Sequence, residues 1–469
     1  MSGPDRVSTN DPSSPSDLSS LGQRHLWGHF TNLNLVQRQG LPVIERGEGP
    51  YVFDGDGRRY LDGLSGLFTV NVGHGRHRLA EAAARQMETL AYFPLWSFGH
   101  GPAIRLAARL AALAPGDLNR VFFTTGGGEA LESAWKLAVQ YFAAIGQPSR
   151  RKVISRDYAY HGTTLGALSI TGIPAIREPF EPLLPWAVKV PNTNRYRCGL
   201  CSGADACTLD CADEVERVVL REGPDTVAMI VMEPVQNTGG TLVPPPGYWA
   251  RMRDICDRYG ILLVSDEVIC AFGRLGHMFG CERFGYQPDM ITFAKGVTSG
   301  YAPLGGVIAS DRIAAPFLED DGSVLLHGLT FGGHPVSCAV ALANLDIMED
   351  ERIGQNVLDN EPVFDEVMES LRDLPLVGDI RGCGYFRVVE LVKDKETRQS
   401  FDDHESKWLL RDILSPSIYR SGLICRADDR ADPVLVLAPT LVCGPDELRF
   451  IGEVLTACIT SAAAELGRR

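Results

Sequence analysis

A chain of 469 residues, 45% apolar and 22% charged, has the composition of a globular protein able to bury a large core. Its formal net charge of −14 argues against nucleic-acid partners and against adhesion to anionic membranes. No apolar stretch approaches the roughly 20 residues that span a bilayer, and the N-terminus lacks the basic and apolar regions of an export signal, so a cytoplasmic location is expected.

Residues 1–22, rich in Ser, Pro, Asp and Asn, bury too little to offset the entropy of ordering and read as a disordered tail. The segment 23–75 carries two short strands around an Asp-Gly turn within residues 51–62 and is assigned to a smaller domain. From about residue 75 strand and helix alternate. Strands are expected at 121–124, 153–155, 227–232, 261–265, 290–293 and 306–309, with helices such as 129–144 and 248–259 between them. That alternation predicts a largely parallel sheet covered on both faces, a large α/β domain over 76–344. Residues 345–469, with strands at 387–392 and 434–438, complete the smaller α+β domain.

Two residues carry the chemistry. In open parallel sheets ligands gather beyond the carboxyl ends of strands. Asp266 follows the strand 261–265, and Lys295 closes the next apolar run, in a chain that otherwise prefers arginine to lysine. An Asp there can be a plain helix N-cap. Together with Lys295 it makes a constellation: an amine that condenses with an aldehyde, and a carboxylate that keeps a pyridine nitrogen protonated. Pyridoxal phosphate chemistry requires those two groups. Phe122-Phe123-Thr124-Thr125-Gly126-Gly127-Gly128-Glu129 reads as strand, glycine loop and helix start, a shape that admits a phosphate to backbone amides. It lacks both the GxGxxG and the P-loop spacing, which counts against a dinucleotide-dependent oxidoreductase or a nucleotide hydrolase. Tyr160-His161-Gly162 and Glu233-Pro234-Val235-Gln236 follow two further strands. An aromatic ring there can stack on a flat cofactor, whereas His161 reads as a polar turn residue without a direct catalytic role.

With these motifs and His327-Gly328-Leu329-Thr330-Phe331-Gly332-Gly333-His334-Pro335 in this order, the chain resembles the class III aminotransferases from about Leu26 to the C-terminus. The resemblance implies a fold type I enzyme, with a mainly parallel seven-stranded sheet and a smaller domain, that uses pyridoxal 5'-phosphate. It implies Lys295 as the lysine joined to the cofactor and Asp266 at the pyridine nitrogen, with Glu233 supporting the site nearby. Tyr160 and Val268 flank the ring, and the amides of Gly127 and Gly128 hold the phosphate. It further implies a homodimer or higher oligomer in which Thr330 reaches the neighbouring subunit's phosphate. Two departures matter. Gly126-Gly127-Gly128 offers no hydroxyl where many relatives have serines, and Ile269 stands where ornithine and GABA aminotransferases carry Gln. Asp266-Glu267-Val268-Ile269 is similar to the ω-transaminase branch instead. In that branch Arg426 matches a mobile carboxylate-binding arginine, and Phe30 and Phe68 match aromatic pocket positions.

The reading is therefore a ping-pong aminotransferase moving an amino group from an amine or ω-amino acid to a keto acid, with pyruvate the expected acceptor. The alternative is another reaction on the same scaffold: an aminomutase, racemase or decarboxylase. Of twelve cysteines, eight lie singly and fit reduced thiols. Cys198, Cys201, Cys207 and Cys211 cluster in a spacing unlike standard zinc fingers. Unbonded thiols are the expected reading, and a structural zinc site is the alternative.

Overall fold

The computed structural model describes residues 15–201, 207–319 and 323–467. Near the N-terminus, β1 (Ile44–Glu48), β2 (Tyr51–Asp54) and β3 (Arg59–Asp62) form an antiparallel meander. Its tight turn is set by Asp54, whose Oδ1 accepts from the amides of Asp56 (3.1 Å) and Arg58 (2.9 Å), while Gly57 takes a φ of 79°.

The central sheet contains β4 (Leu118–Thr124), β5 (Lys152–Arg156), β6 (Ala187–Val190), β7 (Val227–Met232), β8 (Leu262–Asp266), β9 (Met290–Phe293) and β10 (Gly305–Ser310). Their spatial order is β4-β10-β9-β8-β7-β5-β6, and β10 runs antiparallel to both its neighbours while the remaining contacts are parallel. All seven strands of this sheet lie among the described residues, as the fold type I resemblance implies. Every residue of β7 and β8 is buried; β7 reads as an unbroken apolar run, and β8 as the apolar run Leu262-Leu263-Val264 ending in Ser265 and Asp266. Alternation splits them between two cores: Met229 and Val231 pack with Leu131, Ala134 and Ala138 of helix Gly127–Ala144, whereas Ile230 and Met232 join Met252 and Ile255 of helix Tyr248–Tyr259. Strand β6 escapes sequence reading because only Val190 of its four residues is buried, at the sheet edge.

The C-terminal part supplies β11 (Val377–Cys383), β12 (Phe386–Leu391), β13 (Leu423–Ile424), β14 (Arg426–Asp428) and β15 (Val434–Leu437). Four of them make an antiparallel sheet in the order β11-β12-β15-β14. Strand β13 instead pairs in parallel with β3, so both ends of the chain share one sheet.

One expectation needs correction. Of the tail expected to be disordered over 1–22, residues 1–14 lie outside the described residues, but Pro15–His25 is helical. Polar contacts tie it to helix Leu33–Gln39 and the turn after it: Ser19 Oγ accepts from Leu41 N at 3.0 Å, and Gln23 Nε2 donates to the Val36 carbonyl at 3.0 Å. Compositional reasoning weighs apolar burial and is blind to such anchors. No described helix is long and apolar enough to cross a membrane.

Candidate active site

The carboxyl ends of β4, β5, β7, β8 and β9 converge on a cavity of about 910 Å³. Lys295, two residues after β9, lines it from a short helical turn with a φ of 47°, a conformation that non-glycine residues rarely hold. Asn344 fixes that turn by donating from Nδ2 to the carbonyls of Gly296 (3.0 Å) and Val297 (3.1 Å). Burial pushes the Lys295 amine down to about 8, against the raising influence of Asp266 and Glu233, and the positive charge of Arg426 lowers it further. Its Nζ stands 5.5 Å from the centroid of the Phe68 ring.

Asp266 ends β8 and is 4% exposed. Val268 N–H and the Thr292 hydroxyl approach its Oδ1 at 3.1 and 3.4 Å, and His161 Nδ1 lies 2.7 Å from its Oδ2. A carboxylate only accepts, so His161 carries its proton on Nδ1. Sequence reasoning missed this role because the two residues stand 105 apart in the chain. Behind them Glu233 is buried, and burial foremost, then the charge of Asp266, raises its pKa. Its Oε2 accepts from Asn237 N at 2.9 Å, while Oε1, like His161 Nε2, has no protein partner.

The glycine loop leads from β4 into helix Gly127–Ala144, whose N-cap Gly126 offers no side chain. The first-turn amides of Gly127 and Gly128 are therefore left for a ligand, favoured by the helix dipole if it is anionic. A Cβ at Gly127 would lie 3.0 Å from both Val268 methyls, so glycine permits the close approach of loop and Val268. The Thr125 hydroxyl is committed to Glu129 Oε2 at 2.6 Å. The cavity thus joins a pre-formed anion site, a buried amine, a buried carboxylate and a wall containing Tyr160 and Val268.

Gly127, Gly128, Tyr160, Glu233, Asp266, Val268 and Lys295 all line this cavity. Four other sequence-derived candidates do not. Phe68 is 2% exposed and packs edge-on against Phe386 with centroids 5.7 Å apart, beneath the lysine. Phe30 is 77% exposed, although His29 beside it lines the cavity. Thr330 is exposed and its carbonyl accepts from the Tyr92 hydroxyl at 2.6 Å. Arg426 opens β14 just outside the lining, close enough for its charge to act on Lys295 and to feel Tyr160. In the cysteine cluster, Cys201 N–H donates to Cys198 Sγ (3.3 Å), and a hydrogen bond with Thr208 helps draw the Cys201 thiol down to about 7. Among the described residues no group of three or more His, Cys, Asp or Glu side chains is placed to hold a metal ion, these four cysteines included.

The sequence profile of the family described as aminotransferase class-III matches residues 35–459. A probable aminotransferase of Mycobacterium tuberculosis is 55% identical over 449 residues, covering 96% of each chain. The putrescine–pyruvate aminotransferase of Pseudomonas aeruginosa is 37% identical over 450 residues, 96% of this chain and 97% of its own. Among solved structures, a thermostable (S)-enantioselective omega-transaminase from Thermomicrobium roseum superposes with a TM-score of 0.91 at 42% identity, over 96% of this chain and 99% of its own.

Proposed function

The chain belongs to the class III aminotransferases, and we propose that it moves an amino group from an amine or ω-amino acid to pyruvate through the residues of the cavity just described. The observation that carries the proposal is the meeting of a buried lysine, a buried strand-end carboxylate and an uncapped helix N-terminus in one cavity. Pyridoxal phosphate, the cofactor of this family, supplies an aldehyde that takes up the amino group and a ring that withdraws electrons from the substrate carbon.

The residues present fit that group. The amides of Gly127 and Gly128 would hold its phosphate, and Tyr160 and Val268 would bracket its ring. Asp266, oriented by His161, Val268 N–H and Thr292, would keep the ring nitrogen protonated. Glu233 Oε1, unpartnered in the wall, offers one further polar contact. Lys295 would join to the aldehyde and, once released, carry a proton from the substrate carbon to the cofactor; its depressed pKa leaves a usable fraction as free amine near neutral pH. Pyruvate is favoured by the similarity to the Pseudomonas aeruginosa enzyme. A panel of amine donors assayed with pyruvate and with 2-oxoglutarate tests the assignment, and a clear preference for 2-oxoglutarate would overturn the pyruvate reading.

Arg426 is assigned the carboxylate of the keto acid. Arg426→Ala should raise the Michaelis constant for pyruvate roughly tenfold or more, the size of a charge-assisted hydrogen bond, and leave that for an uncharged aryl amine nearly unchanged. Equal losses for acid and amine would mean that Arg426 supports the fold. Phe68 and Phe30 are assigned to the amine pocket, where truncation should change the range of amines accepted.

The domain division at 23–75 with 345–469, against 76–344, belongs to this proposal, supported by the pairing of β3 with β13. So does a homodimer with shared sites. Exposed Tyr92, Phe93, Trp96, Phe98 and Phe331 lie around Thr330 and would be covered by a second copy. Mixing Lys295→Ala chains with Thr330→Ala chains and exchanging subunits tests the sharing. Each heterodimer then holds one doubly damaged site and one intact site, so activity should recover above both parents. No recovery, with exchange verified, counts against it.

A further inference from the structure

We infer that Asp428 and Arg430 set how tightly the site holds carboxylate substrates, by competing for and releasing Arg426; the inference rests on Arg426 as the carboxylate-reading residue. Residues two apart on a strand share a face, so β14 presents Arg426 and Asp428 together. Asp428 is buried between two guanidinium groups and divides itself unequally. Arg430 donates to it from its backbone N (3.0 Å) and from Nε to both carboxylate oxygens (2.9 and 3.1 Å), and its Nη2 is closer still. Arg426 has a single long ion pair, Nε to Oδ2 at 3.4 Å, beyond good hydrogen-bond geometry.

The neighbouring charges are already committed. Asp429 pairs with Arg411 at 2.9 Å, and Asp432 with Arg197 at 3.0 Å. Two arginines around one carboxylate leave one positive charge in excess, and the weak pairing assigns that excess to Arg426. Burial raises the pKa of Asp428, but the hydrogen bonds and charge of Arg430, with the charge of Arg426, hold it below the usual carboxylate value, so the competitor keeps its charge. A substrate carboxylate must win Arg426 from Asp428, and the grip of Arg430 on Asp428 weakens that competition in the substrate's favour.

The two residues therefore act with opposite signs. Asp428→Asn removes the competing charge and should lower the Michaelis constant for pyruvate. Arg430→Gln frees Asp428 to pair fully with Arg426 and should raise it, each by roughly tenfold. The dissociation constant of oxamate, an unreactive pyruvate isostere, measured calorimetrically on the cofactor-loaded enzyme, should shift in the same two directions. Thermal unfolding of both variants shows whether the hairpin has been disturbed. General damage there would raise both constants together, and that outcome, or no change in either, overturns the inference. Arg426→Ala is measured alongside. If it leaves pyruvate and oxamate binding intact, the reading of Arg426 itself fails. If it weakens them while the two variants do not diverge, only the role of Asp428 and Arg430 fails.

Discussion

Lys295→Ala should give a folded protein whose turnover is lowered by roughly a thousandfold or more, since the amine assigned to carry a proton at the substrate carbon is gone. Folding should survive for two reasons. Alanine, like lysine, carries a Cβ, so the strain of the φ of 47° is unchanged. The lost packing of the lysine stem is opposed by relief from burying an amine whose pKa is depressed to about 8. Circular dichroism and thermal unfolding check the fold, and loss of the visible band of lysine-joined cofactor checks the site. The same pKa gives a pH signature in the intact chain. Below about 8 the amine is mostly protonated, so the rate at which cofactor-free protein takes up pyridoxal phosphate should rise up to tenfold per pH unit and flatten above that value. A Lys295→Ala variant turning over at the wild-type rate would remove the residue from the mechanism.

What the sequence disclosed follows the locality of each signal. Strands β7 and β8 are buried on both faces and announce themselves by their apolar residues, and Asp266 and Lys295 are legible because one closes β8 and the other stands two residues after β9. Strand β11 was not legible, since Val377-Gly378-Asp379-Ile380-Arg381-Gly382-Cys383 mixes glycine and charge and buries only its ends. Its Arg381 instead bonds Glu390 on the neighbouring strand β12 and the carbonyls of Gly239 and Gly240, which lie far away in the chain. The same limit hid His161 behind Asp266 and the sharing of Asp428 by Arg426 and Arg430, because hydrogen-bond partners leave no periodicity. Phe30 and Thr330, both exposed, fall outside what one chain's own packing defines.

The second large effect is expected from Asp266→Asn, which removes a charge with little change in shape. An asparagine can keep all three contacts: its carbonyl oxygen accepts from Val268 N–H and faces the Thr292 hydroxyl, and its NH₂ faces His161 once that ring moves its proton to the other nitrogen. The fold and the cavity should therefore persist while the ring nitrogen loses the negative partner that holds its proton. Turnover should fall by roughly a hundredfold or more, the scale of one preorganised electrostatic contact. A second consequence separates this from general damage. The charge of Asp266 is the first influence holding the Lys295 pKa up against burial, so removing it should move that pKa further below its value of about 8. The pH profile of cofactor uptake should then shift to lower pH while turnover of the loaded enzyme collapses. Reduced cofactor affinity with unchanged turnover of the bound enzyme, or an unshifted profile, would contradict the role assigned to Asp266.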